Sequence, residues 1–390
     1  MSRRPSLGCS ALLLTTTLAG GIGAGTVSRP ALAAPSVGSS QPAPIEPDQS
    51  RPDSTPCRVP LFTGATFGGD PRAFSYAPPA ACPGPWAKVV LETDVSLDAG
   101  RQFDRTATIF IGGVNVLFGT TAEPRAALAP SWHVERDLTD DTALLRTPQQ
   151  GRVLMANYQS PVYTSTITAS ASLLFYPATR RFPAPRTPDL VIPLQPDPTA
   201  GTTDLADGTQ ALSRTGVLPR NVEKARLDVL LQSQAGDEFW YTCVPDALAG
   251  PLETCGGGSF REGQVSVDGR PAGTAPVYPW IYTGGIDPYL WQPITGVQTL
   301  AFEPYSVELT PFAGAVNDGK AHTISLSVAG ANQHFSVTGT LYLTLDHGSS
   351  VVRGALTRDT LGAPAPRVSD TIVQANGTAS GTVSTASDHR

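Results

Sequence analysis

Two parts of this 390-residue chain repeat the same succession of strand-like runs and turns. In each copy an apolar run precedes a charged triplet that leads into a second run, and a third run closes the copy. The copies align as AKVVLE (87–92) with ARLDVL (225–230), FDR (103–105) with FRE (260–262), and SLLFY (172–176) with TLYLTL (340–345). A duplication of this size predicts two similar domains in succession.

The runs alternate apolar and polar residues, as in HTISLSV (322–328), which is the period of a strand with one buried face. The chain has 38 glycines and 37 prolines for turns, and it lacks long stretches with helical apolar spacing. These patterns predict an all-β fold. Its expected form is two tandem jelly-roll-like antiparallel β-sandwiches packed side by side, with disordered N-terminal and C-terminal segments.

Changes in composition predict the domain boundaries. Residues 1–33 have the layout of an export signal, with early arginines, an apolar region and a small-residue cleavage site ending at Ala33, so we expect a secreted protein. The other predicted boundaries are a Pro/Ser-rich linker at 34–56, a first sandwich at 57–180, a Pro-rich connector at 181–220, a second sandwich at 221–346, and a tail at 347–390 that is poorly packed or begins a truncated β region.

Four cysteines follow the predicted signal: Cys57, Cys82, Cys243 and Cys255. Three pairings are possible, but Cys57–Cys82 and Cys243–Cys255 need no crossing between domains. In an oxidising exterior we expect these two disulfides, each stabilising the fold by about 2–4 kcal/mol.

The charge pattern narrows the range of partners. The formal net charge is -6 and there is no cluster of lysines and arginines, so we expect no nucleic-acid partner. No segment after the signal is apolar for the roughly 20 residues that span a bilayer. The five histidines are scattered and neither cysteine pair has metal-knuckle spacing, so we expect no metal and no other cofactor. We expect a monomer.

The segment from Glu238 to Gly296 is rich in aromatic and charged residues, broken by glycine pairs and prolines. Flat aromatic faces beside carboxylates and arginines suit a neutral ligand with many hydroxyl groups, such as a sugar. The alternative is that the tryptophans fill a sandwich core. The candidate binding residues in this segment are Trp240, Trp280, Tyr282, Asp287 and Trp291.

The charged triplets give a second set of candidates. Asp104 and Arg105 lie opposite Arg261 and Glu262 when the two copies are aligned. If the domains pack about a pseudo-twofold axis, both pairs can face one cleft between the domains, where ligand sites commonly form. The alternative is that each pair is a salt bridge that braces a loop.

At these motifs the chain resembles the peptide:N-glycosidase A-type amidases. The matching segments are FDRTATIFIGGVNVL, TAEPR, WHVERDLTD, EFWYT, FREGQVSVDG, PWIYTGGIDPYLWQPITG and SVELTPFAGAVNDGKAH. The resemblance implies hydrolysis of the amide that joins N-acetylglucosamine to an asparagine side chain of an N-glycosylated peptide or protein. The products would be an aspartate-containing peptide and a glycosylamine.

The FDR triplet also resembles the strand entrance of the flavobacterial F-type peptide:N-glycosidases, which are built from two jelly rolls. The resemblance implies that Asp104 is the main catalytic residue, with Arg105 beside it. An assisting glutamate has no clear counterpart, and Glu262, Glu238 and Asp237 are the substitutes. Trp240, Trp280, Tyr282 and Trp291 would stack on the first sugar rings.

The chain departs from the family pattern at two places. Asp140-Asp141 stands where the family usually has Arg-Tyr, and the chain ends short of the usual family length. We therefore keep two alternatives. One is a C-terminally shortened, non-catalytic sugar-binding homologue, and the other is a glycoside hydrolase that uses two carboxylates.

Overall fold

The computed structural model describes residues 42–285, 298–363, 365–375 and 378–389. The predicted signal peptide, its cleavage site at Ala33, the predicted N-terminal disorder before residue 42 and the first part of the linker lie outside these residues. Asp287 and Trp291 also lie outside them.

Eight strands form the first sandwich: β1 (Cys57–Thr66), β2 (Arg72–Tyr76), β3 (Trp86–Leu97), β4 (Thr106–Ile111), β5 (Val114–Thr120), β6 (Ser131–Asp137), β7 (Gln149–Met155) and β8 (Ile167–Pro177). Nine form the second: β9 (Leu190–Pro193), β10 (Thr203–Leu205), β11 (Ala211–Val217), β12 (Val222–Ser233), β13 (Glu262–Val267), β14 (Arg270–Pro276), β15 (Tyr305–Glu308), β16 (Ala321–Ala329) and β17 (Phe335–Leu345). The described α-helices have four residues each: α1 (Thr142–Leu145), α2 (Asp246–Ala249) and α3 (Ala313–Val316). Single 3₁₀ turns lie at Thr139–Asp141, Ala235–Asp237, Trp240–Thr242, Thr283–Gly285 and Thr310–Phe312.

The two sandwiches have the same strand order. The sheets of the first run β1-β8-β3-β6 and β2-β7-β4-β5. The sheets of the second run β10-β17-β12-β15, with β9 also on β17, and β11-β16-β13-β14. All described pairings are antiparallel. Apart from the extra edge strand β9, each sandwich has two four-stranded sheets, which correspond to an eight-stranded jelly roll. The prediction of an all-β fold built from two such sandwiches is confirmed.

Each sandwich has its own core, filled by the apolar residues of the alternating runs. Leu91, Ile109 and Phe175 are fully buried in the first core, and Leu227, Leu326 and Phe335 in the second. Burying a side chain of this size stabilises the folded state by about 1.5–3 kcal/mol. Both predicted disulfides, Cys57–Cys82 and Cys243–Cys255, are formed.

A third apolar cluster joins the two sandwiches. It contains Phe118 of β5, Leu230 of β12, and Trp280 stacked on Phe302 in the connection between β14 and β15. Residues 299–302 of this connection run along β5, since Phe302 N–H donates to the Phe118 carbonyl oxygen at 2.7 Å. A Cβ on Gly119 would overlap the Leu300 carbonyl, so only glycine permits this close approach.

The second sandwich begins earlier than the predicted boundary at residue 221. Three of its strands, β9 to β11, come from the predicted connector. β9 and β10 pair with successive parts of β17 at a sheet edge, where a proline such as Pro193 is tolerated. The prolines of this segment predicted a loop. A proline lacks the N–H of a sheet hydrogen bond, but this is harmful only inside a sheet and not at its edge.

The described part of the predicted linker, residues 42–56, forms no strand, yet it is bound to the first sandwich. Arg51 pairs with Glu92 at 3.0 Å and also contacts Glu135, while Gln49 N–H donates to Glu135 at 2.6 Å. Ionic contacts therefore hold a segment that has too few apolar residues to fold alone.

The tail differs from the prediction of a disordered C-terminal segment. It forms two short antiparallel strand pairs, one inside the other: β18 (Arg367–Asp370) pairs with β21 (Val383–Ala386), and β19 (Val373–Ala375) pairs with β20 (Thr378–Ser380) between them. Their residues are mostly exposed. Backbone pairing thus gives strands to a polar sequence without burying a core.

Candidate active site

A cleft with a volume of about 570 Å³ lies between the two sandwiches. This volume is within the range of small-ligand pockets. The first sandwich contributes the loop before β4 and the segment after β7. The second contributes the end of β12, the start of β17 and the connection after β14. The polar residues that line the cleft are Asp104, Arg105, Thr106, Tyr158, Thr202, Asp204, Gln232, Gln234, Glu238, Tyr282, His334 and Ser336.

Asp104 lies in the loop before β4, as the FDR motif predicts, and its side chain reaches the cleft. Its carboxylate accepts the N–H of Gly284 at 2.5 Å and the hydroxyl of Thr283 at 3.3 Å. Burial raises the pKa of Asp104, and these two hydrogen bonds and the charge of Arg105 offset part of the effect. The carboxyl group therefore holds a proton more readily than an exposed aspartate does.

Glu123 is a carboxylate that the sequence analysis did not select. It follows β5 and lies beside Asp104, whose N–H bonds to its carboxylate. Burial, and then the negative charge of Asp104, raise the pKa of Glu123. Its position in the TAEPR segment was the available signal, since this segment is among those that carry the family resemblance.

Glu238 also lines the cleft, as does Asp204. It is half-buried, and its pKa is raised by burial and then by the charge of Asp104. Two adjacent carboxyl groups cannot both ionise as easily as one alone. This group of acids therefore keeps a proton to a higher pH than an isolated, exposed aspartate or glutamate does.

Tyr282 joins the two walls of the cleft. Its hydroxyl lies 3.1 Å from Thr106 Oγ1 and accepts from Gln232 Nε2 at 3.0 Å. Burial is the main cause that raises the pKa of Tyr282 to about 12. The phenol is thus neutral across the physiological range, and it gives the cleft a neutral hydrogen-bonding group of the kind that sugar hydroxyls need.

Arg105 lies beside two aromatic rings. Its guanidinium carbon is 4.8 Å from the Phe103 ring centre and 5.9 Å from that of Tyr158, which is 60% exposed at the cleft. Contacts of this kind hold a cation in place while leaving its N–H groups free to bind. Arg105 can therefore present positive charge next to Asp104.

The second triplet is placed differently from the first. Arg261 and Asp237 form a fully buried ion pair at 2.8 Å, and Asp237 also accepts the N–H groups of residues 332–334. Glu262 binds His389 at 2.7 Å and contacts Gln264, outside the residues that line the cleft. Only the first triplet thus faces the cleft, because the aspartate 24 residues earlier draws Arg261 inward.

The predicted aromatic residues also lie in different environments. Trp280 is 2% exposed in the cluster between the sandwiches, and Trp240 packs against the core of the second. For Trp280 the core alternative describes its position. Tyr282 lines the cleft, together with Tyr158, which the sequence analysis did not select.

Possible metal ligands within the described residues come together away from the cleft. Asp48, His133 and Glu135 lie close enough to share an ion. Two of them belong to β6, and Arg51 contacts the Glu135 carboxylate, so an internal cation already balances its charge. Among the described helices, none has the length and apolar character needed to cross a bilayer.

Two solved structures are similar to the chain. The structure of PNGF-II is 11% identical, covers 76% of this chain and 66% of its own, and has a TM-score of 0.49. PNGase F, a glycosylasparaginase from Flavobacterium meningosepticum, is 13% identical, covers 77% of this chain and 98% of its own, and has a TM-score of 0.47.

Sequence comparison gives a stronger match. A peptide-N4-(N-acetyl-beta-glucosaminyl)asparagine amidase A of Prunus dulcis is 33% identical over 317 residues, which are 75% of this chain and 54% of the relative. The chain thus spans about half the length of this curated relative. The model of one family matches residues 43–357, well over half of the chain. The chain therefore belongs to the peptide N-acetyl-beta-D-glucosaminyl asparaginase amidase A family.

Proposed function

We propose that this protein hydrolyses the amide between N-acetylglucosamine and the asparagine side chain of N-glycosylated peptides, with Asp104 as the main catalytic residue. The observation that carries the proposal is the carboxyl group of Asp104 in the cleft between the sandwiches, with Glu238 lining the same cleft and Glu123 beside Asp104. Family membership supports the reaction class.

The reaction needs both a base and an acid, because an amide carbonyl is a poor electrophile and an amine is a poor leaving group. Ionised Asp104 takes a proton from water, and the water oxygen bonds to the amide carbon. Arg105 faces the negative charge that develops on the carbonyl oxygen. When the carbon–nitrogen bond breaks, a protonated carboxyl group gives its proton to the departing nitrogen. Acid–base catalysis of this kind typically contributes about 10²–10⁴-fold.

Glu123 and Glu238 are the two groups that can supply the acid. Each has a pKa raised by burial and by the charge of Asp104, so each is protonated more readily than an exposed glutamate. Pairs of carboxyl groups with different proton affinities commonly divide the acid and base roles. Tyr282 would bind a hydroxyl or the acetamido group of the first sugar.

The products would be a peptide with aspartate in place of asparagine and a glycosylamine, which decomposes to free glycan and ammonia. Digestion of a defined glycopeptide in heavy-oxygen water, followed by mass spectrometry, tests this. An amidase leaves a sugar-free peptide with one heavy oxygen in the new aspartate. A glycoside hydrolase acting within the chitobiose leaves one sugar on asparagine, and a sugar-binding homologue leaves the peptide unchanged. Either of the last two results would refute the proposal.

We also propose that the protein is exported and acts as a monomer on N-glycosylated peptides or proteins. The two disulfides support an oxidising compartment. Sequencing the N-terminus of the exported protein tests the proposed cleavage after Ala33, and sedimentation tests the monomer.

A further inference from the structure

Asp104 belongs to the first sandwich, yet two of the groups that hold its carboxylate come from the other half of the chain. These groups are the Gly284 N–H, at 2.5 Å, and the Thr283 hydroxyl, at 3.3 Å. Both residues lie in the connection between β14 and β15. The placement of Asp104 thus depends on a segment about 180 residues away in sequence.

The Thr283 hydroxyl is engaged on both sides. It accepts the N–H of Glu123 at 2.8 Å, and it can donate its one proton to either Asp104 Oδ2 or the Thr121 carbonyl oxygen, each at 3.3 Å. Thr283 is only 1% exposed, so water cannot readily replace these contacts. One buried hydroxyl therefore connects the main chain of Glu123 with the carboxylate of Asp104.

Gly284 gives a second, independent constraint. Its φ angle lies outside the left-handed region that favours glycine, so the backbone conformation alone admits other residues. A Cβ would nevertheless overlap Oε2 of Glu123 and lie 3.1 Å from Oδ2 of Asp104. The backbone at Gly284 is thus in contact with both carboxylates, and any side chain would occupy the place of one.

We propose that Thr283 and Gly284 are positioning residues for the reaction. Thr283 fixes the ionised carboxylate of Asp104, and Gly284 leaves the room in which Glu123 lies beside it. This inference rests on the proposed amidase function, and it adds that the second half of the chain completes a pair of acids carried by the first.

The inference predicts a change in pH dependence. A hydrogen bond to an ionised carboxylate stabilises the ionised form and lowers its pKa, whereas burial raises it. Thr283→Val keeps the shape but removes the hydroxyl, so the pKa of Asp104 rises. Asp104 then ionises only at higher pH, so the acidic limb of the kcat/KM profile moves to higher pH.

The experiment compares the parent with Thr283→Val and Thr283→Ser. We expect Val to move the acidic limb upward by roughly one pH unit, while KM at the optimum changes by less than about twofold. Ser keeps the hydroxyl and should restore the parent profile. A Val profile that superimposes on the parent, or a Ser variant that shifts as far as Val, would overturn the role of Thr283.

A titration that needs no turnover separates this inference from the proposed function. NMR of isotope-labelled aspartate carboxyl groups, assigned with Asp104→Asn, reports the pKa of Asp104 directly. If the parent cleaves no glycopeptide but Thr283→Val still raises this pKa, the function fails and the positioning stands. If the parent is active and the pKa does not move, the positioning fails and the function stands.

Gly284→Ala tests the other contact. The methyl group should displace the Glu123 carboxylate and lower kcat by at least about tenfold, since a displaced acid no longer protonates the leaving group. Because both changes remove the same group, Gly284→Ala combined with Glu123→Gln should cost little more than Glu123→Gln alone. Losses that multiply in the double variant, or unchanged kcat in Gly284→Ala, would contradict the role of Gly284.

Discussion

The interface between the sandwiches contains two groups of acids, which differ in the partners that hold them. Asp104, Arg105 and Glu238 line the cleft, and Glu123 lies beside Asp104. Farther along β12, a smaller chamber of about 290 Å³ contains Asp141, Asp140, Asp228 and Glu303, together with Arg136 and Arg226. Burial is the main cause that raises the pKa of Asp104, and also of Asp141, which it raises to about 7. A raised pKa alone therefore does not distinguish the two.

The partners of the acids make the difference. In the chamber, Arg226 pairs with Asp140 at 2.8 Å and with Asp228 at 3.2 Å, and the Tyr342 hydroxyl donates to Asp141 at 2.9 Å. These contacts join the first sandwich to β12 and β17 of the second. The Asp140-Asp141 pair that departs from the family pattern thus forms a contact between domains. In the cleft, main-chain and hydroxyl groups hold Asp104 and leave space for a ligand. Perturbed acids indicate a site more strongly in the cleft, of about 570 Å³, than in the chamber, of about 290 Å³, where an arginine already pairs with the acids.

The largest expected difference between the two regions is in turnover. Asp104→Asn keeps the shape of the side chain but removes the proposed base, so kcat should fall by about 10²–10⁴-fold while glycopeptide affinity and the melting temperature are kept. Asp141→Asn is the matched control and should change kcat by less than about threefold. Steady-state kinetics on one glycopeptide measures both. Activity above a tenth of the parent in Asp104→Asn would remove the assignment.

The second comparison separates the glutamate that the structure places beside Asp104 from the one that the sequence repeat favoured. Glu123→Gln should lower kcat by about 10²-fold, because it removes a candidate acid. Glu262→Gln should have little effect on kcat, since Glu262 binds His389 outside the cleft. Equal losses in the two variants would show that the cleft geometry does not identify the assisting acid.

The third prediction concerns how the acids of the chamber make the stability of the folded protein depend on pH. The folded pKa of Asp141, about 7, is above its ordinary value of 3.8, so folding favours the protonated form. The contribution of Asp141 to the free energy of unfolding is fully present below pH 4 and is lost as pH rises toward 7. The asparagine of Asp141→Asn stays neutral at both pH values. The free energy of unfolding of this variant, relative to that of the parent, should therefore increase by ~1 kcal/mol or more from pH 5 to pH 8. Melting temperatures at these two pH values test this, and an unchanged difference would mean that Asp141 is ionised in the fold.

The smallest effects are expected from a matched pair of tyrosine variants. Each Tyr→Phe change removes a buried hydroxyl, a loss of about 1 kcal/mol. In Tyr282→Phe the loss should appear as a several-fold rise in KM, because this hydroxyl lines the cleft. In Tyr342→Phe it should appear as a lower melting temperature with unchanged KM, because its partner is Asp141. The reverse pattern would mean that the two regions have been assigned the wrong way round.

Much of the fold followed from local patterns. Period-2 alternation predicted the strands, and alignment of the two copies predicted that β3 corresponds to β12 and β4 to β13, as the shared strand order confirms. Asp104 could be selected because it stands at the start of one of these strands. The edge strands β9 to β11 were missed because their prolines and polar residues are also typical of loops.

The rest of the site depends on contacts between distant segments. Glu123 approaches Asp104 only because β5 ends beside the loop before β4, and the repeat offered no counterpart that would have marked it. The choice between Arg105 and Arg261 as a cleft residue depends on Asp237, which lies in a 3₁₀ turn and draws Arg261 into the interior. Whether a tryptophan binds a ligand or fills an interface is likewise decided by its neighbours, as Phe118 and Phe302 decide it for Trp280.

The close approach at Gly119 has a consequence for attempts to divide the protein. β5 is the outer strand of its sheet, and residues 299–302 cover the backbone groups that it would otherwise expose. A fragment that ends after the first sandwich would carry a bare strand edge with Phe118 uncovered beside it. Such an edge is a template for pairing with other chains. The first sandwich expressed alone should therefore self-associate, although its disulfide and most of its core are formed within it. The two sandwiches should accordingly be kept together in any engineered version of the protein.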